Sequence, residues 1–444
     1  VTHRLIRSAR YRRFFLVHTL RHGVFWIGAV SVAGASILFA KSSSSVYALF
    51  RHGLEFSPLA ALAIAPIGLG LARFLTVTAF PGAEGSGVPQ VIAAISPSRI
   101  SLRESLLSLR IATGKVVITV LGLASGASIG REGPSVQVGA AIMYNFGKWA
   151  RLPPRDMTQA VVLAGGAAGI SAAFNTPLAG IVFAIEELSR SFEERTSGRV
   201  FTAVIVSGIV SLAVLGNYTY FGHTDASLDF GNGWTPVLVC GVAGGLMGGA
   251  FARLLIMFSR GLPGRIGIWQ RANPVIWAAL CGSVLALIGL VSGSTTYGTG
   301  YDEATTLLAG QPQFLGWGPL KFLATLVSYC SGIPGGIFAP SLAVGAGIGS
   351  DLARYLPGVP FGAVVILAMV SYFTGVVQAP ITAVVIMLEM IGDETMTIPI
   401  MAAALIAFSV SRLVCPKPLY KTLAASYTAS PKPVPADLDF DSGQ

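Results

Sequence analysis

Residues 125–140, SGASIGREGPSVQVGA, align without gaps to residues 331–346, SGIPGGIFAPSLAVGA, with eight of the sixteen positions identical. A second pair follows in the same order, NTPLAGIVFAIEE at 175–187 and QAPITAVVIMLEM at 378–390, matching Pro177 with Pro380 and Glu186 with Glu389. A third, weaker pair precedes both, GSGV at 85–88 and GTGY at 298–301. Three markers in one order at nearly constant spacing make the chain an internal duplication. Such a chain folds as two related units packed on one another.

The two units belong in a bilayer. Only 11% of the 444 residues are charged and 53% are hydrophobic, whereas a soluble chain carries about a quarter charged residues. Apolar runs near 23–40, 57–79, 111–129, 198–216, 235–252, 274–292, 361–378 and 397–414 approach the ~20 residues that cross a membrane. Others are shorter and are broken by Gly or Pro, of which there are 53 and 25. Broken backbone in lipid must find its hydrogen bonds in protein or water. The fold class expected is an all-α polytopic membrane protein with broken helices.

Charge sets the orientation. Arg4, Arg7, Arg10, Arg12, Arg13 and Arg21 precede the first run, which places the N-terminus in the cytoplasm. No small-residue cleavage site follows that run, so it is read as retained. From Val200 to Ala252 there is no Lys or Arg, while Asp225 and Asp229 occur there. That part is external, and Arg253, Arg260, Arg265 and Arg271 mark the return. Lys417, Lys421 and Lys432 keep the C-terminus inside. The net charge of +10 thus follows membrane topology, and nucleic acid is not an expected partner. Two similar halves with both ends on one side each cross an odd number of times, so they are inverted, with the site between them.

The organisation expected is a basic cytoplasmic segment at 1–22, a first membrane repeat at 23–216 and an external linker at 217–234. A second repeat at 235–416, a C-terminal helix at 417–428 with a pore-lining start, and a disordered tail at 429–444 complete it. The tail carries Pro431, Pro433 and Pro435 before three aspartates, a composition without a core. No soluble domain is expected after the membrane region.

GREGP at 130–134 and GIFAP at 336–340 read as helices that start inside the membrane. Gly permits the break, and Pro suits a first turn whose N–H needs no partner. Free N–H groups and the positive dipole end then face a cavity. Inversion aims two such ends at one region from opposite sides, which makes an anion site. GSGVP at 85–89 supplies a third turn, with the Ser86 hydroxyl as a donor. Taken singly each motif is equally a Gly/Pro turn; the repeat pairing decides.

Glu132 begins one of these helices beside Arg131. It is either half of a structural ion pair or a functional carboxylate competing with the transported anion, since intramembrane charge is costly. Phe338 stands at its repeat position. Glu186 and Glu187 follow an apolar run, as a solvated helix end or as acids feeding protons toward Glu132. Glu389 at the repeat position of Glu186 points to a structural cap for that pair, which leaves Glu187 the better proton candidate. Lys115 and Lys321 are lone cations in apolar stretches, 206 residues apart. They either snorkel to an interface or focus positive potential on the anion site.

Other chemistries lack residues. There is no HExxH, Walker loop or dinucleotide fingerprint. Cys240, Cys281, Cys330 and Cys415 have no paired spacing. An enzyme embedded in the membrane would need a nucleophile and base that the sequence does not offer. No cofactor or metal is expected; the small anion is the transported ligand.

GSGVP, GREGP, GIFAP and KPLY, in that order over about residues 23 to 425, closely resemble the CLC chloride channels and chloride/proton antiporters. The resemblance implies the CLC-type inverted repeat with tilted helices, and a homodimer with one pathway per subunit in a bacterial inner membrane. It implies chloride held by Ser86, by Tyr420 and by backbone N–H groups around Gly336, Ile337 and Phe338. Glu132 becomes the gating carboxylate and Glu187 the internal proton-transfer residue, with Glu186 beside it. Exchange of chloride for protons is the function expected; a voltage- or pH-gated passive chloride channel is the alternative. Serine in GSGVP favours chloride over the fluoride branch. Bacterial antiporters often carry acids just after this motif, where this chain has Gln90 and Ile92, so the partner of Arg131 is left open. The paired cytoplasmic nucleotide-binding modules of eukaryotic members are absent, so no regulation through them is expected.

Overall fold

A computed structural model describes residues 2–95, 100–152, 160–189, 194–216, 219–222, 227–228, 234–393 and 395–429, with side chains throughout except at 2–22, 194–197 and 429. Asp225, Asp229, Arg155, Arg190, Lys432 and the tail beyond 429 lie outside the described residues. The described residues form helices and connecting turns, with two isolated β-bridges, Gly85–Pro334 and Gly130–Gly336.

The first half contains α1 (Thr2–Phe56), α2 (Ala61–Thr78), α3 (Val88–Ile95), α4 (Ile100–Leu106), α5 (Leu109–Ala124), α6 (Glu132–Trp149), α7 (Ala160–Phe174), α8 (Pro177–Phe183) and α9 (Glu194–Leu215). The second contains α10 (Trp234–Ser259), α11 (Gly264–Ala272), α12 (Pro274–Val291), α13 (Tyr301–Leu308), α14 (Trp317–Cys330), α15 (Phe338–Ala353), α16 (Phe361–Val377), α17 (Pro380–Ile391) and α18 (Thr397–Val414). A last helix, α19 (Leu419–Ala429), has no counterpart in the first half. Seven helical stretches among the described residues are long and apolar enough to cross a membrane.

Two features depart from the hydropathy reading. Helix α1 continues past residue 40 through Lys41 and four serines to Phe56. It does so because Ser43, Phe50 and Leu54 are buried there, one helical stripe packed on protein. The other is α7, fifteen residues that are mostly small and apolar, every one buried. It is too short and too glycine-rich to stand out as a span, yet it lies at the centre of its half. Its repeat partner α16 is buried from Ala363 to Val377, so the apolar run at 361–378 faces protein and not lipid.

Small residues let these central helices approach their neighbours closely. At the α6–α7 crossing, a Cβ on Gly139 would collide with the Gly165 carbonyl, and one on Gly165 with that of Gly139. The second half repeats the device where Gly244 and Gly248 of α10 meet the backbone of α16 around Tyr372.

The halves meet reciprocally. Helix α2 packs on its counterpart α12, and α8 on its counterpart α17. The Glu389 carboxylate accepts from the N–H groups of Leu178 (3.0 Å) and Ala179 (2.7 Å) at the start of α8. Glu186 accepts from Ile381 (3.2 Å) and Thr382 (2.6 Å) at the start of α17. An interface in which i meets j′ and j meets i′ is the signature of a two-fold, here internal to one chain. Both helices follow a residue in the left-handed region, Asn175 (φ 59°) and Gln378 (φ 58°), and both open on Pro at the first turn.

The linker after α9 folds back on the protein. Tyr220 and Phe221 are buried, the Phe221 N–H donates to the Met390 carbonyl (2.9 Å), and the Tyr301 hydroxyl donates to the Tyr220 carbonyl (2.8 Å).

Candidate anion and proton site

The three Gly/Pro motifs come together by backbone pairing. Gly130 and Gly336 each donate to the other's carbonyl at 2.7 Å. The Gly85 N–H donates to Ile333 (3.3 Å), and the Gly335 N–H returns to Gly85 (3.2 Å). The turns before α3, α6 and α15 are thereby fixed to one another. The α3 turn needs glycine at Gly87, whose φ is +104° and whose Cβ would lie 2.6 Å from the Gly133 carbonyl.

Helices α6 and α15 begin at Glu132 and Phe338, and neither has a side-chain cap from its N-cap residue, Arg131 or Ile337. Their first N–H groups have no intrahelical acceptor. Glu132 is fully buried, and its carboxylate lies near the N–H groups of Ala339, Arg131 and its own residue. None of these approaches closes a hydrogen bond of regular geometry. Glu186 and Glu389 are different: each is tied to two amides.

Of the backbone groups expected to hold chloride, Gly336 is a correction. Its N–H is committed to the Gly130 carbonyl. Ile337 is the N-cap residue of α15 and Phe338 its first residue. The Ser86 hydroxyl abuts the start of α6, where any side chain on Gly133 would strike it. Tyr420, fully buried at the start of α19, turns its hydroxyl toward Ser86. Neither hydroxyl has a hydrogen bond within the chain. The Tyr420 ring rests on Phe338 with centroids 5.9 Å apart. Phe338 is itself enclosed by Phe174, Phe183 and Phe373. Two hydroxyls and two helix N-termini thus share an aromatic-walled constriction.

A cavity approaches the constriction from each side. One, of about 580 Å³, is lined by Arg51, Arg131, Tyr220 and Asp302 among others. The open question of Arg131 is answered here: its guanidinium donates to the Ala40 carbonyl of α1 at 2.9 Å. Arg51 pairs with Glu303 across this mouth at 3.0 Å. The other cavity, of about 750 Å³, reaches Ser86 and is lined by Arg73, Arg260 and Arg271 with Glu84. Arginine outnumbers acid at the second mouth, a field that concentrates anions, whereas at the first Arg51 and Arg131 are balanced by Glu55 and Asp302.

The two lysines staple loops. Lys115 Nζ donates to the carbonyls of Glu84 (3.2 Å) and Gly85 (2.9 Å). Lys321 Nζ donates to Thr296 (2.9 Å), Tyr297 (3.4 Å) and Gly298 (2.8 Å). Both are fully buried, and neither snorkels. Each holds its own half's copy of the GSGV/GTGY marker.

Glu187 is 3% exposed and sits in a π-helical turn, Ala184–Ser189, a distortion common at functional positions. The two neighbouring acids point to different partners, as consecutive helical residues do: Glu186 reaches the start of α17, while Glu187 is buried within electrostatic range of the Tyr420 hydroxyl. Glu132 acts on the same hydroxyl. Sequence reasoning missed Tyr427, which lines the larger cavity with Gln90. Its spacing of seven from Tyr420 on a short helix was the available signal. Among the described residues no cluster of His, Cys, Asp or Glu is placed to hold a metal.

An inverted pair of all-α membrane units, with broken helices aimed at one buried constriction between two cavities, is the architecture of a membrane transport protein and not of an enzyme. The chain matches the family described as voltage gated chloride channel over residues 68–412, and it belongs to that family, the CLC proteins. It is 31% identical over 413 residues to the H(+)/Cl(-) exchange transporter ClcA of Yersinia pestis bv. Antiqua (strain Angola), covering 87% of this chain and 81% of that one. It resembles the structure of a slow cyanobacterial Cl-/H+ antiporter with a TM-score of 0.80 and 23% identity, over 92% of this chain and 98% of the other. A CLC-type fluoride/proton antiporter matches with a TM-score of 0.76 and 25% identity, over 92% and 99%.

Proposed function

We propose that this protein exchanges chloride for protons across the membrane, with Glu132 as the gating and proton-carrying carboxylate. The observation that carries the reading is the buried Glu132 carboxylate, set near the N–H groups of Ala339 in α15 and of Arg131 and Glu132 at the start of α6 without closing hydrogen bonds of regular geometry to them. A carboxylate held so loosely at a helix N-terminus is an anion standing where chloride would stand. Protonation removes its claim on the amides and lets chloride replace it. The relatives named as H(+)/Cl(-) exchangers support the same reading.

Chloride passes between the two cavities through Ser86, Tyr420 and the N–H groups of Ile337 and Phe338. Protons share Glu132 on one side and leave through Glu187 on the other, so the two routes diverge beyond Tyr420. Lys115, Lys321 and Arg131 keep the path positive. Both termini are cytoplasmic, which puts the Arg260–Arg271 mouth inside by the positive-inside rule. The protein works as a homodimer with one pathway per subunit, in the inner membrane of a bacterium.

Reconstitution in liposomes under an outward chloride gradient tests this. Uphill proton movement is the expected result; chloride flux without proton movement would leave only a passive channel.

A further inference from the structure

We propose that α11 lies in the membrane surface and docks an anionic phospholipid headgroup at the rim of the larger cavity, through Arg260, Arg265 and Arg271. The inference goes beyond the exchange of chloride for protons and needs only the bilayer.

Chain geometry sets the level of α11. Helices α10 and α12 are both long and apolar enough to cross a membrane, and α11 is joined to each by a short link, after Ser259 and before Pro274. A helix of nine residues between two spans sits where they leave the bilayer. The helical repeat of 3.6 divides its residues between two faces. Arg265, Ile268, Trp269 and Ala272, spaced i, i+3, i+4 and i+7, are all exposed, Ile268 by 64%, with Ile266 beside them at 61%. Gly267, Gln270 and Arg271 make the opposite face. Gly267 is buried, and Gln270 and Arg271 line the larger cavity. An exposed apolar face carrying Trp and Arg, at the ends of two spans, is how a helix lies in the headgroup layer.

The arginines select which lipid. From Phe230 to Tyr301 the chain has no Asp or Glu. Among the described residues, the guanidinium groups of Arg260, Arg265 and Arg271 have no hydrogen bond or ion pair. The other arginines at the two mouths are committed: Arg51 to Glu303, Arg131 to the Ala40 carbonyl, and Arg73 to the Gly332 carbonyl at 2.6 Å. Three uncommitted cations on one short segment call for anions, and Ile266, Ile268 and Trp269 among them call for anions fixed to an apolar layer. Phospholipid headgroups meet both demands, whereas free phosphate leaves the apolar face unexplained. Arg265 shares the face of Ile268 and Trp269, so its stem lies along acyl chains and its guanidinium snorkels to the headgroups. Arg260 and Arg271 line the same cavity as Ser86, so a headgroup held there stands at its edge.

The test uses the full chain in detergent, with phosphatidylglycerol and phosphatidylcholine offered together and the retained lipid counted by native mass spectrometry. Wild type is expected to retain phosphatidylglycerol preferentially. Arg260→Gln, Arg265→Gln and Arg271→Gln should each weaken that retention about 5-fold, the worth of one cation at an anionic surface. Replacing all three with lysine should preserve the preference, which separates lost charge from lost fold. Ile268→Asn, with the arginines intact, should weaken retention as well, and inorganic phosphate should not displace the lipid. No preference in wild type, or a preference that survives replacing all three arginines with glutamine, overturns the proposal. Displacement by inorganic phosphate with no loss in Ile268→Asn also overturns it, since that is the behaviour of a site for free phosphate. Lipid retention is read without ion flux, so the result stands apart from the chloride–proton reading.

Discussion

Gly130 and Gly336 exchange both of their backbone hydrogen bonds, each N–H donating to the other's carbonyl at 2.7 Å across the internal two-fold. Each lies two residues before the first residue of its half's broken helix, Glu132 of α6 and Phe338 of α15. The pair holds two helix N-termini from opposite halves at fixed separation. Symmetry ends one residue later, where Arg131 and Glu132 face Ile337 and Phe338 in the repeat. Backbone presents a helix N-terminus alike from both halves, and side chains make only one of them acidic.

That geometry separates two alanine variants. A Cβ on Gly130 would meet the Glu132 carboxylate, the movable end of a side chain, whereas one on Gly336 would meet backbone, the Gly130 carbonyl and Gly133 nitrogen each at 3.1 Å. Gly130→Ala is expected to fold, to displace Glu132 and to move fewer protons per chloride in liposomes. Gly336→Ala is expected to lower the melting temperature by forcing the glycine pair apart. A Gly130→Ala protein with full coupling would show that the position of Glu132 does not govern exchange.

Glu132→Gln should abolish proton movement while chloride flux continues, because a neutral amide neither carries a proton nor competes as an anion. Glu187→Gln should also lose proton movement yet keep a chloride flux that still responds to external acid, since Glu132 remains. Paired measurements of pH and chloride in vesicles check both. Proton transport surviving intact in Glu187→Gln refutes the inner route.

The duplication and the broken helices were legible in the sequence because Gly and Pro mark backbone breaks wherever they occur. The positions of Ser86, Glu132 and Phe338 around one constriction follow from those breaks. Helix α7 was not legible, since fifteen mostly small apolar residues resemble neither a span nor a surface helix until packing buries them. The separation of Glu186 from Glu187 was anticipated only through Glu389, and the π turn that carries both acids leaves no mark in composition. The commitment of the Gly336 N–H to Gly130 was hidden for a similar reason: a backbone contact between distant glycines has no side-chain signature. Gln90 looked like a missing acid, yet its amide bonds the Gly87 N–H and the Glu84 carbonyl across the Ser86 turn, a use that only the folded turn reveals.

Replacing the buried lysines should reveal their loops. Lys321→Met strands three carbonyls and Lys115→Met two, and a buried acceptor left without a partner costs about 1–3 kcal/mol. Both variants should melt at lower temperature, Lys321→Met the lower of the two. Lys115→Met should in addition weaken chloride binding, because its loop carries Ser86. Calorimetry on the two purified variants separates these effects; equal chloride affinity in Lys115→Met and wild type would leave Lys115 a purely structural staple.

The reciprocal caps offer the sharpest contrast, because symmetry predicts equal stability effects and function predicts unequal ones. Each carboxylate satisfies two amides at the start of a helix in the opposite half, and losing a cap costs about 1–2 kcal/mol. Glu186→Ala and Glu389→Ala should therefore lower the melting temperature by similar amounts. Glu186, however, lies in the π turn that also carries Glu187, while the repeat places Met390 after Glu389. Freeing the end of that turn from α17 should let Glu187 shift, so Glu186→Ala is expected to move fewer protons per chloride and Glu389→Ala to exchange normally. Glu186→Gln, which keeps one acceptor oxygen and no charge, should retain most of the coupling. If Glu186→Gln uncouples as fully as Glu187→Gln, then Glu186 carries protons itself and its bonds to Ile381 and Thr382 are secondary to that task.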